Sequence, residues 1–123
     1  MNPVGVAKAV SAGRLVFGVA MMAAPSKVMA GWVGEKEAQR PAFDLLTRSF
    51  GAREILLGFI GVHVSGTPGV GKRTIGTMAL MDLTDLAVTV AHRRNLPSSA
   101  LPIMVGVAGG AVVSQVWAAR ELP

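Results

Sequence analysis

Residues 96–119 contain no charged side chain, and this feature constrains the fold of the chain more than any other. About 20 consecutive apolar residues suffice for a helix to cross the hydrocarbon core of a bilayer. Ser98 or Ser99 can cap such a helix, and Pro102 then falls in the first turn, where no N–H partner is lost. The pattern therefore predicts a transmembrane helix over residues 99–119.

Three further hydrophobic segments have the length of a spanning helix, although each carries charge near its centre. With the last segment, they place the four predicted helices at residues 4–24, 43–64, 74–91 and 99–119. We therefore expect an all-α fold, a four-transmembrane-helix bundle that makes residues 1–123 a single integral membrane domain. Residues 26–40, between helices 1 and 2, are long enough for a short interfacial segment.

The composition also favours a membrane protein. Hydrophobic residues make up 51% of the chain and charged residues 15%, whereas soluble domains carry about 25% charged residues. The net charge of +5 suits anionic lipid headgroups, and the richness in Ala, Gly, Val and Arg is typical of a high-GC bacterial genome. The scattered basic residues and the lack of Tyr do not suit nucleic acid. We expect membrane lipids as partners, a cell membrane location and no nucleic acid.

Five charged residues occupy the central parts of the first three segments. They are Arg14, Arg53, Glu54, Asp82 and Asp85. A charge at a helix centre costs about 2.5–3.5 kcal/mol on insertion, so these residues are predicted to face one another inside the bundle. We expect the two arginines to bridge the three carboxyls, one of them protonated. Three roles stay open: structural ion pairing, a proton or ion relay, and a site for a ligand headgroup.

Small residues recur every four positions along the last segment, at Gly106, Gly110, Ser114 and Ala118. This spacing is typical of faces on which membrane helices approach closely. It predicts a helix-packing seam, on which another membrane protein subunit or a second copy of the chain could dock.

Two motifs permit other interpretations. Arg14 and the apolar residues 15–24 resemble the first two regions of a signal peptide, and Val28-Met29-Ala30 resembles its small-residue cleavage site. Residues 66–72 match a phosphate-binding loop, but Arg73 stands where that loop needs Ser or Thr. A Gly/Pro-rich turn between helices explains the second motif, so nucleotide binding is not expected.

No catalytic constellation is recognisable in the chain. The only histidines, His63 and His92, do not make a metal site, and the absence of cysteine excludes disulfides and thiol redox chemistry. We therefore expect no enzyme activity, no cofactor and no metal.

Three short motifs carry a family resemblance: Gly-Arg-Leu-Val-Phe-Gly at residues 13–18, Gly-Ala-Arg-Glu-Ile-Leu-Leu-Gly at 51–58, and Met-Asp-Leu-Thr-Asp-Leu at 81–86. With them the chain resembles a poorly characterised family of small four-helix bacterial membrane proteins, broadly DoxX-like in layout. The resemblance implies a four-helix membrane bundle and little about activity. The redox roles suggested for some DoxX-like proteins gain no support here, because the chain has no cysteine.

These features predict a small membrane protein without its own catalysis. We expect an accessory or stabilising subunit of a larger membrane complex, such as a lipid or solute transporter. The alternative is a homodimeric proton-coupled transporter, or a lipid- or small-molecule-binding protein, that uses the buried carboxylates.

Overall fold

The computed structural model describes residues 1–123, and it is helical along most of its length, with no β-strand. The helices are α1 (Pro3–Ala23), α2 (Pro25–Val33), α3 (Glu35–Ala38), α4 (Pro41–Val64), α5 (Val70–Ala91), α6 (Ala100–Met104) and α7 (Gly110–Glu121). A π-helical turn, Val105–Gly109, joins α6 to α7, so that Ala100–Glu121 forms one continuous helix. A 3₁₀ turn, Arg93–Asn95, follows α5. The predicted all-α fold is confirmed.

Three of the helices are long and apolar enough to cross a membrane. They are Pro3–Ala23, Val70–Ala91 and Ala100–Glu121. At 24 residues α4 is the longest helix, but it carries four charged side chains. It is not among the three helices that are apolar enough to cross a membrane by composition. The chain therefore has the helices of a membrane protein, with three spans supported by composition.

Helices α1 and α4 pack with their backbones in direct contact. A Cβ atom at Gly18 would lie 2.5 Å from the carbonyl oxygen of Gly51, and one at Gly58 would lie 2.6 Å from that of Ser11. Because any larger residue would push the helices apart, these glycines set the distance between α1 and α4. This contact makes the first segment an integral part of the bundle.

An apolar core closes the end of the bundle that carries both chain termini. Its buried members come from α1, α5, α7 and the C-terminus, and are Ala7, Ile75, Met78, Ala118 and Leu122. The Gly69 N–H also donates to the carbonyl oxygen of Pro123 at 2.9 Å, which ties the α4–α5 turn to the end of the chain.

The loop-like motif at residues 66–72 spans the turn between α4 and α5 and the first residues of α5. Gly69 has φ +75°, a conformation that favours glycine, and α5 begins at the next residue. Gly71 is needed for packing, since a Cβ there would lie 2.5 Å from the carbonyl oxygen of Ser65. Helix α4, rather than a strand, precedes the motif, so a helix–helix turn accounts for its glycines.

Helix α2 provides the predicted helix between the first two long segments, and it packs across the opposite end of the bundle. The Trp32 indole N–H donates to the Thr89 hydroxyl at 3.1 Å, and the Ser99 hydroxyl donates to the carbonyl oxygen of Gly31 at 2.7 Å. Met29 is buried with Met21 of α1. These contacts join α2 to α1, to the end of α5 and to the start of α6.

The predicted seam of α6 and α7 does not form one continuous packed face inside the molecule. Ala118 is buried in the core and Ser114 is half-buried, whereas Gly106 and Gly110 are exposed, with no neighbouring atom within 4 Å of a Cβ at either position. The π-helical turn Val105–Gly109 includes Gly106, and its geometry changes which residues of this helix share a face. The row of close glycine contacts between two long helices lies between α1 and α4 instead.

Candidate functional site

The Arg14 guanidinium joins three helices in the middle of the bundle. Its Nη1 lies 2.9 and 2.8 Å from the two carboxylate oxygens of Glu54, and its Nη2 lies 2.6 Å from Oδ2 of Asp82. Arg14 and Glu54 are buried, and Asp82 is largely so. The structure thus brings together three of the five charged residues that the sequence analysis singled out.

Gln115 of α7 completes this group, and sequence reasoning missed it. Its amide Nε2 donates to the same Asp82 Oδ2 at 2.6 Å and to the carbonyl oxygen of Ala111 at 2.9 Å. Gln115 is fully buried. The available signal was its place as the one amide side chain in the uncharged segment 96–119. Below, Arg14, Glu54, Asp82 and Gln115 are called the central cluster.

Arg53 does not belong to the central cluster, contrary to the prediction. It is exposed, and its guanidinium lies 5.5 Å from the centroid of the Phe50 ring on the same helix. Adjacent residues of a helix point about 100° apart, and here Glu54 is buried while Arg53 lies on the exposed side of α4. The second bridging arginine that we expected is therefore absent.

Asp85 lies one turn beyond Asp82 on α5 and is half-buried. No hydrogen bond or ion pair engages its carboxylate, although its backbone carbonyl accepts from the Thr89 hydroxyl at 2.8 Å. Asp85 thus lies beside the central cluster without being neutralised by it.

A cavity of about 780 Å³ opens between the helices on the α2 side of the central cluster. Arg14, Glu54, Asp82 and Asp85 form its polar end, and Trp32 lies at the end formed by α2. Its walls are mostly apolar, and include Phe17, Phe43, Phe50, Met104, Val107 and Ala108. We call this space the central cavity.

The central cavity has the dimensions and polarity of a small-molecule site. Ligand sites commonly enclose about 300–1,000 Å³ and combine apolar walls with a few convergent polar groups. Here the polar groups are held by the bundle itself, because Arg14 is tied to two helices and Asp82 also to Gln115. The arrangement can orient a molecule by its polar group while its apolar body contacts the walls.

Three buried polar atoms near the centre have no hydrogen-bond partner: Ser11 Oγ, Arg14 Nε and Gln115 Oε1. Buried polar groups without partners cost free energy, and they are uncommon in folded proteins. Two of the three atoms belong to the central cluster. This cluster therefore has buried polar atoms for which the protein supplies no hydrogen-bond partner.

No group of three or more His, Asp or Glu side chains is arranged to hold a metal ion. Comparisons of the chain with family models, curated proteins and solved structures found no match. The DoxX-like resemblance therefore stays a prediction.

Proposed function

We propose that this chain is a four-span integral protein of the bacterial cell membrane that binds a small, mostly apolar molecule in the central cavity. The polar group of this molecule would contact the carboxylates at the cavity's polar end. The observation that carries the proposal is the cavity of about 780 Å³ with four charged residues at one end and apolar walls elsewhere.

The fourth span of this proposal is α4. Its 24 residues correspond to about 36 Å of helix, enough to cross a bilayer, and its contact with α1 extends from Gly51 to Gly61. Glu54 is neutralised by Arg14, and the outward face carries the exposed apolar residues Leu45, Leu56, Phe59 and Ile60. An exposed surface of this kind suits lipid better than water.

The ligand proposal can be tested by obstructing the cavity. Gly110 lines it and has no atom within 4 Å of a Cβ position, so Gly110→Phe should place a ring in the cavity without disturbing the helix contacts. The probe is N-phenyl-1-naphthylamine, a neutral aromatic molecule, added to protein in dodecyl maltoside. We expect saturable quenching of Trp32 by the probe, and its loss in Gly110→Phe.

Two features make this experiment specific. The chain has two tryptophans, so Trp117→Phe leaves Trp32, at the cavity, as the only donor. Gly106→Phe is the matched control, because Gly106 has equal space on the same helix but does not line the cavity. Quenching that does not saturate, or that Gly110→Phe leaves unchanged, would refute the binding site.

The second candidate function is that of an accessory subunit of a larger membrane complex. It is favoured by the exposed glycine Gly106, which leaves room for close approach of another helix next to the exposed apolar side chains of Val105 and Val113. The partner would be another membrane protein subunit or a second copy of the chain. In this function the outer face of α6 and α7, rather than the cavity, would form the interface with the partner.

The same pair of glycines separates the two functions. Gly106→Leu should release the chain from a complex formed through this face, as judged by co-purification from native membranes in mild detergent. Gly110→Leu, which points its new side chain toward the cavity, should affect such a complex less. If the chain is recovered alone in every case, the accessory function loses its support.

A further inference from the structure

We propose that the central cavity selects lipophilic monovalent cations, such as hydrophobic amines or quaternary ammonium ions, and that the Asp85 carboxylate is their counter-charge. This inference rests on the proposed function, because it names the class of ligand that the cavity takes.

The first argument is the balance of charge at the polar end of the cavity. One guanidinium, that of Arg14, faces three carboxyl groups. Its hydrogen bonds go to Glu54 and Asp82, so the Asp85 carboxylate receives none of them. A positive charge on the ligand would offset part of this excess of acid.

The second argument is that no side chain of the protein forms a hydrogen bond or an ion pair with the Asp85 carboxylate. Arg53 on α4 is the other cation at this depth, but it is exposed and stacks on Phe50. The neighbouring positions of α7 contribute Gln115, whose amide donates to Asp82 and to its own helix. Carboxylates inside a membrane protein are costly unless they are paired, protonated or in contact with water or ligand.

The third argument is the chemistry of the walls. A small hydrated metal ion would find one free carboxylate and mostly apolar side chains, whereas calcium and magnesium need six or more oxygen ligands. A cation with apolar substituents fits better, since Phe17, Phe50 and Trp32 present aromatic rings around the space. Aromatic faces attract ammonium groups, and more strongly when water is excluded.

The charge preference can be measured with three phenyl-substituted probes that differ in charge. Tetraphenylphosphonium is the cation, tetraphenylborate is the anion, and triphenylphosphine oxide is the neutral compound. Each is titrated into protein carrying Trp117→Phe in dodecyl maltoside, with Trp32 fluorescence as the readout and protein-free micelles as the blank. We expect Asp85→Asn to weaken binding of the cation by about tenfold or more, and to leave the neutral probe unchanged.

The controls separate loss of charge from loss of fold. Asp44→Asn removes an acid from the same protein at a half-buried position outside the cavity, and should leave all three affinities unchanged. Asp85→Glu keeps the charge and should retain preference for the cation. Unchanged binding of the neutral probe to Asp85→Asn shows that the cavity is intact in that variant.

The outcomes distinguish this inference from the proposed function. Equal binding of the cation by wild type and Asp85→Asn, or a wild-type preference for the anion, would overturn the cation inference while the cavity remains a binding site. Failure of all three probes to bind saturably would overturn the binding site itself. Selective loss of the cation in Asp85→Asn supports both.

Discussion

Among single residues, Arg14 makes the interactions on which the bundle most depends. Its guanidinium forms ion pairs with both Glu54 and Asp82, which come from two different helices. A planar fork of N–H donors can serve two carboxylates at once, which a lysine ammonium on a flexible stem does less well. Arg53, one residue before Glu54 on α4, has the same chemistry but points outward. Position on the helix therefore decides the role of each arginine.

This difference predicts opposite effects for one substitution at two sites. Arg14→Gln leaves two buried carboxylates without their cation, so we expect a loss of about 3–5 kcal/mol in the free energy of unfolding. Arg53→Gln removes an exposed charge and should change it by less than about 0.5 kcal/mol. SDS-induced unfolding in mixed micelles measures both.

The pairing is tested by a compensating change. In the double variant Arg14→Gln with Glu54→Gln, one of the two orphaned acids is removed, so part of the lost stability should return. Equal destabilisation by Arg14→Gln and Arg53→Gln would contradict the central role of Arg14.

At the scale of helices, glycine contacts hold α1 directly against α4, and the cavity lies outside this contact. Gly18, Gly51, Gly58 and Gly61 form the close contact, and Gly61 packs against the side chain of Ser11. Helices that approach this closely gain van der Waals contact along their length, which is a main source of association in lipid. The cavity lies between α1, α2, α4 and the helix Ala100–Glu121, where no such glycine contact closes the space.

We predict that Gly58→Ala will destabilise the bundle, because its Cβ would lie 2.6 Å from the carbonyl oxygen of Ser11, where only backbone can move. Overpacking of this kind costs about 1–3 kcal/mol. The matched control is Gly76→Ala on α5, where no atom lies within 4 Å of the new methyl group. Alanine there should be neutral, or should stabilise the helix by about 0.5–1 kcal/mol. Unfolding in SDS that ranks the two variants in the reverse order would disprove this account of the α1–α4 contact.

At the scale of the whole molecule, the two ends of the bundle differ. The end with the termini is filled by an apolar core around Ile75, and the other end contains the cavity with α2 packed across it. A four-span arrangement puts both termini and the α4–α5 turn on one side of the membrane, with α2 and the turn after α5 on the other.

The native chain has no cysteine, so this topology can be tested by single substitutions to cysteine. We expect Thr67→Cys and Glu121→Cys to react with an impermeant maleimide from one side, and Lys36→Cys and Asn95→Cys from the other. All four positions are exposed. Labelling of Thr67→Cys and Lys36→Cys from the same side would show that α4 does not cross the membrane.

The sequence alone determined the all-α fold and much of the central cluster. Hydrophobic segments of spanning length can satisfy their backbone groups in lipid only as helices or closed barrels, so length and apolar character are enough to predict the helices. Arg14, Glu54 and Asp82 were predictable as partners because charges at helix centres share one depth and are costly alone.

Only the tertiary structure decided which residues face inward and where space is left between the helices. The exclusion of Arg53, the inclusion of Gln115 and the isolation of Asp85 depend on how each helix is rotated against its neighbours. That rotation follows from the α1–α4 glycine contacts and from the π-helical turn Val105–Gly109, which shifts the face that α7 presents. A local pattern records the spacing of residues along one helix, whereas a cavity is a property of the distances between several helices.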